Sequence, residues 1–229
     1  MKKHCILAIF SILLAQANAS TIGVNSIGVK LGSQELGMDT SVSGVNADVS
    51  GSAFAYEISG NYNLLSPEEG KSFGIDASLR YQSSSDISIA GTDYELTFFE
   101  GGLRPYLNLS GFILFADLAF SHAEIKASAG GVSESLSETS FAPGLGVQIN
   151  FEKLNVRPSL HWVDYNDDDT VISLLDEFVF LNIPVSYNYS DSIDISFSYT
   201  HSFGTELTVN TTSMEVYTNE YLIGLDYKF

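Results

Sequence analysis

The sequence predicts an all-β chain, folded as an antiparallel up-and-down transmembrane barrel of ten strands, with eight as the alternative count. Three observations point there. The last ten residues, Glu220 to Phe229, alternate apolar or aromatic side chains with polar or small ones and stop on an aromatic. Ten segments along the chain carry the same period of two, and the connections between them alternate short and long. A barrel in a bilayer needs an apolar outside and a polar inside, because lipid satisfies no backbone group and closure leaves no unpaired edge.

The amino end comes first. Met1-Lys-Lys-His4 is basic, Ile6 to Ala15 is an apolar run of ten residues, and Ala15-Gln-Ala17 or Ala17-Asn-Ala19 offers small residues for cleavage. This is the pattern of an export signal peptide, so 1–19 is expected to be removed and 20–229 to form one barrel domain. Ten residues are too few for a helical span, which needs roughly 18 or more. The single cysteine, Cys5, falls in that segment, so no disulfide is expected.

The strands are expected at 21–32, 51–64, 72–83, 94–107, 111–125, 138–151, 154–165, 177–189, 192–204 and 217–229. In the first two, phase places Lys30 and Glu57 on the polar face. The third and fourth add Asp76, Arg80, Glu100 and Arg104, and the fifth adds Asp117. The sixth sets Phe141, Pro143, Leu145, Val147, Ile149 and Phe151 against Ala142, Gly144, Gly146, Gln148 and Asn150. The seventh brings Arg157 and His161 inward. The eighth lies between an acidic stretch and the turn Ser190-Asp191. The ninth sets Ile193, Ile195, Phe197, Tyr199 and Phe203 against Asp194, Ser196, Ser198, Thr200 and Ser202. In the tenth, Tyr221, Ile223, Leu225, Tyr227 and Phe229 form the lipid face, with Glu220, Asp226 and Lys228 behind it. Pro105, Pro143, Pro158 and Pro184 remove ladder donors and mark bulges or strand ends. Glycines inside strands, such as Gly144, Gly146 and Gly224, suggest close packing in a small barrel.

Connections near 66–70, 108–111, 152–153 and 190–191 are short, whereas 33–50, 84–93, 126–137, 166–176 and 205–216 are longer and polar. This asymmetry is that of short periplasmic turns and long extracellular loops. A soluble lipocalin-like fold also alternates. It would not, however, place charges of both signs on the inner face of most strands.

These features together resemble the small porin-like outer-membrane β-barrel proteins of Gram-negative bacteria. The resemblance implies export to the periplasm, residence in the bacterial outer membrane, and contact with its lipid and lipopolysaccharide. It also implies insertion by the barrel-assembly machinery, which is understood to read a terminal segment like Tyr221 to Phe229.

Charge narrows the partners. The chain carries −18 overall, and from residue 20 onward eight basic residues face 28 acidic ones. Nucleic acid is therefore not expected, because phosphate binding needs clustered Lys and Arg. Lys126 is nearly the only basic residue on the outer side, so lipopolysaccharide contact would go through bridging divalent cations. No surface ligand is readable from the sequence.

The inward charges have two readings. One is a structural plug of mutually satisfied ion pairs, in which the three arginines fork onto carboxylates. The other is a selectivity ring in a narrow pore. A catalytic reading exists only at His161, near Asp164 and Asp167 to Asp169. There an omptin-like protease would place a His–Asp pair, but positions 161 and 164 lie on opposite faces of a regular strand. The same acidic run, with Asp176, lacks the glycine punctuation of a calcium loop. The expectation is thus a non-enzymatic barrel without catalytic residues, metal or cofactor. Its role would be structural or surface interaction through long acidic loops, with a passive channel next and a protease last.

Overall fold

The computed structural model describes residues 21–42, 45–67, 72–89, 91–163, 178–203, 205–209 and 212–229. The expected signal segment 1–19 and the acidic run from Asp164 to Asp176 lie outside the described residues.

All regular elements described are strands: β1 (Ser26–Val42), β2 (Val45–Leu65), β3 (Phe73–Ser84), β4 (Ile87–Ile89), β5 (Thr92–Leu109), β6 (Phe112–Ala129), β7 (Val132–Phe151), β8 (Leu154–Val156), β9 (Ser159–Val163), β10 (Phe178–Ser190), β11 (Ile193–Phe203), β12 (Thr205–Val209) and β13 (Thr212–Lys228). Neighbours pair antiparallel, and β1 pairs with β13 from Ser26↔Lys228 to Val42↔Thr212, which closes the sheet into a ring. The ring has ten staves, β8 and β9 sharing one. The short strands β4 and β12 pair with β5 and β13 beyond the ends of β3 and β11.

The prolines behave in two ways. Pro158 splits the seventh stave into β8 and β9, and Pro184 lies opposite the break, its carbonyl accepting the Arg157 N–H at 2.9 Å. Pro105 interrupts the β5–β6 ladder, which skips from Leu103↔Leu118 to Tyr106↔Phe115. Pro143, in contrast, sits in an unbroken β6–β7 register.

Two expectations are corrected. Residues 21–25 are not the start of a strand: Gly23, at φ +79°, turns the chain inward and the ladder begins at Ser26. Three of the longer connections are also far shorter than expected. Ladders continue to Val42↔Val45, to Ala129↔Val132 and to Val209↔Thr212, so 33–50, 126–137 and 205–216 are mostly paired strand. The apolar signal fades there while backbone pairing does not. Gly130 and Gly131, both at positive φ, make the two-residue turn between β6 and β7.

The outer wall near the short turns is apolar, and Tyr221, Ile223, Leu225, Tyr227 and Phe229 are 47–68% exposed on it. Toward the long hairpins the faces exchange. There Leu36, Ile87, Tyr94, Leu96, Phe98, Ile125, Val163 and Phe180 are buried inside, while Asp93, Glu95, Glu124 and Lys126 point out.

Candidate functional site: the barrel interior

The interior is built in three tiers by strand parity, since alternate residues of each strand face inward. The middle tier is ionic. Lys30, Glu57, Asp76, Arg80, Glu100, Arg104, Asp117, Arg157, His161, Asp194 and Asp226 are each no more than 5% exposed. Lys30 on β1 pairs with Glu57 directly across on β2, and the Arg80 Nε lies 3.9 Å from the other Glu57 oxygen. Arg104 on β5 donates from Nε to Asp117 Oδ1 at 2.5 Å, and the His161 Nε2 stands 3.7 Å from Asp117 Oδ2. Gln82 donates to Glu220 across the lumen. Nearer the short turns, Lys228 Nζ reaches Asp194 at 2.6 Å, and Asp76 accepts from Asn63 at 2.7 Å and from Asn61 at 3.3 Å.

Aromatic rings bound this tier on both sides. The Arg80 guanidinium lies 4.4 Å over the Phe98 ring, which belongs to the apolar tier beneath the hairpins. Arg104 and Arg157 lie 5.3 and 5.9 Å over Phe115 on the other side. Cation–π contacts of this kind let a guanidinium meet an apolar layer without losing all its electrostatic partners.

The third tier holds a strap absent from the sequence reading. Residues Thr21 to Asn25 cross the mouth, and Ile22 is buried in a cluster with Tyr106, Ile113 and Phe115. Its backbone is held by inward side chains from many staves. Ile22 N donates to Gln148 Oε1 at 3.1 Å, Gly23 N to Asp76 Oδ2 at 2.8 Å, and Asn61 Nδ2 to the Val24 carbonyl at 2.8 Å. Asn63 N donates to Asn25 Oδ1 at 2.7 Å, while the Thr21 hydroxyl lies 3.3 Å from Ser186. No periodicity announces such a segment; only the mismatch between Ile22 and the polar residues it meets could have hinted at it.

The close packing expected of strand glycines has a local cause. A Cβ on Gly144 would come 2.4 Å from the His161 ring, and one on Gly146 2.3 Å from Phe115. His161 is enclosed rather than presented to a substrate. Its Nε2 faces both Ser159 Oγ, at 3.0 Å, and Asp117, so the two partners compete for one nitrogen. A nucleophile–base–carboxylate relay needs them on different nitrogens. Among the described residues no group of three or more His, Cys, Asp or Glu has metal-binding geometry.

On the outer wall the interfacial residues fall as aromatic-girdle positions do. His122 is exposed, and His201 Nδ1 meets Asn219 Oδ1 at 2.9 Å beside Tyr199 and Phe203. Tyr199 stacks on Tyr221 with ring centroids 5.0 Å apart.

Solved structures with the same architecture include the outer membrane protease OmpT of Escherichia coli, 11% identical with a TM-score of 0.56 over 93% of this chain and 100% of that one. The transport unit of the autotransporter AIDA-I, also from Escherichia coli, is 8% identical with a TM-score of 0.55 over 99% and 97%. Ail, the attachment invasion locus protein of Yersinia pestis, is 15% identical with a TM-score of 0.39 over 90% and 99%. The likeness to the first two is one of fold alone, and the third, with a TM-score below 0.5, carries no argument. No curated protein matches the chain. Residues 5–162, more than half of the sequence, match the outer membrane protein beta-barrel domain. With a closed ring, a lipid-compatible wall and that match, the chain belongs to the outer membrane β-barrel domain family.

Proposed function

We propose that this protein is a closed, non-enzymatic scaffold of the bacterial outer membrane that acts through its extracellular hairpins rather than by passage through its lumen. The observation that carries this reading is the bracketing of the ionic tier. Phe98 and its apolar neighbours lie on one side; Phe115, Ile22 and the strap lie on the other. Buried charges so enclosed serve as a plug rather than a filter, which would need an open path of water on both sides.

The hairpin end supplies the contact surface. Asp39, Asp48, Asp86, Asp93, Glu124 and Glu134 are exposed there, and Lys126, the one exposed Lys or Arg of that end among the described residues, is spoken for by Glu95 at 3.5 Å. Such a rim favours cationic partners, or lipopolysaccharide phosphates through bridging divalent cations. Insertion by the barrel-assembly machinery, reading Tyr221 to Phe229, and prior removal of 1–19 on export belong to the same reading.

Single-channel recording of the refolded protein in planar bilayers tests it, with heat-modifiable gel mobility showing that the barrel has formed. The expected result is a folded, electrically silent barrel. Discrete steps altered by Arg104→Ala or Arg157→Ala would replace the scaffold with a channel. Peptide hydrolysis lost in His161→Ala would replace it with an enzyme.

A further inference from the structure

The barrel wall is dented between β5 and β6. Its floor comprises Pro105 and Ala116, short side chains from the stretch where the β5–β6 ladder is interrupted. Phe73, Leu107, Leu114 and Leu145 form the rim and are 42–59% exposed, so the dent opens on the lipid-facing wall. Tyr106 and Phe115 complete the lining of a cavity of about 330 Å³. The cause is local. Proline donates no hydrogen bond, and just inside it Arg104 is drawn to Asp117, so the ladder loses two successive pairs while small residues leave the outer surface unfilled.

We propose that this dent seats one acyl chain of a phospholipid in the periplasmic leaflet. Three features select that occupant. No charged side chain lines the cavity, which suits a hydrocarbon and not a headgroup. It is continuous with the apolar wall, and about 150 Å³ already holds a benzene ring, so its volume admits a length of chain. It also lies close to the short turn at Ser110 and Gly111. With about 3.3 Å rise per residue and a strand tilt near 40°, Pro105 stands roughly 13 Å above that turn, in the periplasmic leaflet. Because lipid tails are as apolar as leucine, the preference comes from van der Waals contact with a shaped surface and not from a hydrophobic driving force. The chain would rest against Tyr106 and Phe115, the residues that hold Ile22 on the lumenal side. This inference stands whether or not the lumen conducts.

Native mass spectrometry of the delipidated full-length barrel in detergent, titrated with dioleoylphosphatidylethanolamine, tests it. One saturable adduct per barrel is expected. Ala116→Phe fills the floor and should weaken uptake by about tenfold, the scale of a few lost contacts, and Ala116→Leu is the second filler should the larger ring hinder folding. Leu79→Phe, on open wall, should bind as the parent does. Equal uptake by parent and both fillers, or equal loss in Leu79→Phe, overturns the assignment. In the parent protein in detergent, a substoichiometric tail-spin-labelled phosphatidylethanolamine should broaden the methyl resonances of Leu114 and Ala116 well before that of Leu79. Absence of that preference overturns the proposal without recourse to any variant.

Discussion

Along β5 the inward residues run from Tyr94, Leu96 and Phe98 to Glu100, Arg104 and Tyr106, while the outward ones run from Asp93 and Glu95 to Phe99, Leu103 and Leu107. The same exchange occurs on β6, where Ile125 is inside and Glu124 outside near the hairpin, but Asp117 is inside and Leu118 outside near the turn. One continuous ladder thus behaves as a soluble β-sheet at one end and a lipid-facing one at the other. The period of two belongs to the strand, whereas the sign of the pattern belongs to the solvent outside it. The border passes through the cross-strand pair Phe99↔His122, where the outer surface turns amphipathic.

That contrast can be broken at several points. The largest effect is expected from Glu57→Ala, which strands Lys30 and Arg80 in the ionic tier. Removing one partner of a buried pair costs about 3–5 kcal/mol, readable by denaturant unfolding in bilayers. Unchanged stability would mean the charges are not holding the lower half. Leu96→Ala, in the apolar tier, should cost about 2–5 kcal/mol by leaving a cavity, and an unaffected unfolding midpoint would show the hairpin end is not a packed core. Leu103→Arg, on the lipid face, should cost about 2–4 kcal/mol, whereas Glu124→Arg, outward beyond the border, should stay within about 0.5 kcal/mol. Similar losses at both positions would erase the border.

The smallest effect concerns Asp39 and Asp48, which face each other across the β1–β2 hairpin. Crowding by the surrounding chain, and then repulsion and hydrogen bonding from Asp48, raise the Asp39 carboxyl above its ordinary value. A carboxyl raised in the folded state favours folding while protonated. Its contribution is present at low pH and lost as pH rises through the raised value. Amide exchange in 36–51 should therefore be slower in acid than the intrinsic rate change explains. Asp48→Asn should weaken that dependence, by removing the part due to repulsion and hydrogen bonding, and slow exchange at neutral pH. A wild-type pH profile retained in the variant would assign the effect elsewhere.

The closed ring and the β13 wall were legible because lipid demands alternation there, and Tyr221 to Phe229 supply it with one exception, the inward Leu222. The inward apolar residues were legible in principle, since Leu96 and Phe98 share the parity of Glu100 and Arg104. They are hard to assign because a charged residue marks its face and a leucine does not. The β6–β7 extension is hidden in the sequence because Val132-Ser-Glu-Ser-Leu-Ser-Glu carries little apolar signal while its backbone ladder continues unchanged. The strap was illegible for a different reason. Ile22 finds Tyr106, Ile113 and Phe115 only after the ring has closed around it, and Ser159 meets His161 only once Gly144 lets the ring settle.

The hydrogen bond from Phe229 N to the Asn25 carbonyl, at 3.2 Å, ties the entry to the first strand to the end of the last beside the mouth. The seam it belongs to joins residues roughly 200 positions apart, the most entropically demanding loop closure the chain makes. Sealing the mouth is thereby coupled to finishing the barrel, and a chain stalled before closure would keep Asp76, Gln148 and Asp194 wet. Access of small water-soluble reagents to those positions from the periplasmic side would then serve as a clock for assembly, falling to nothing as the first strand finds the last.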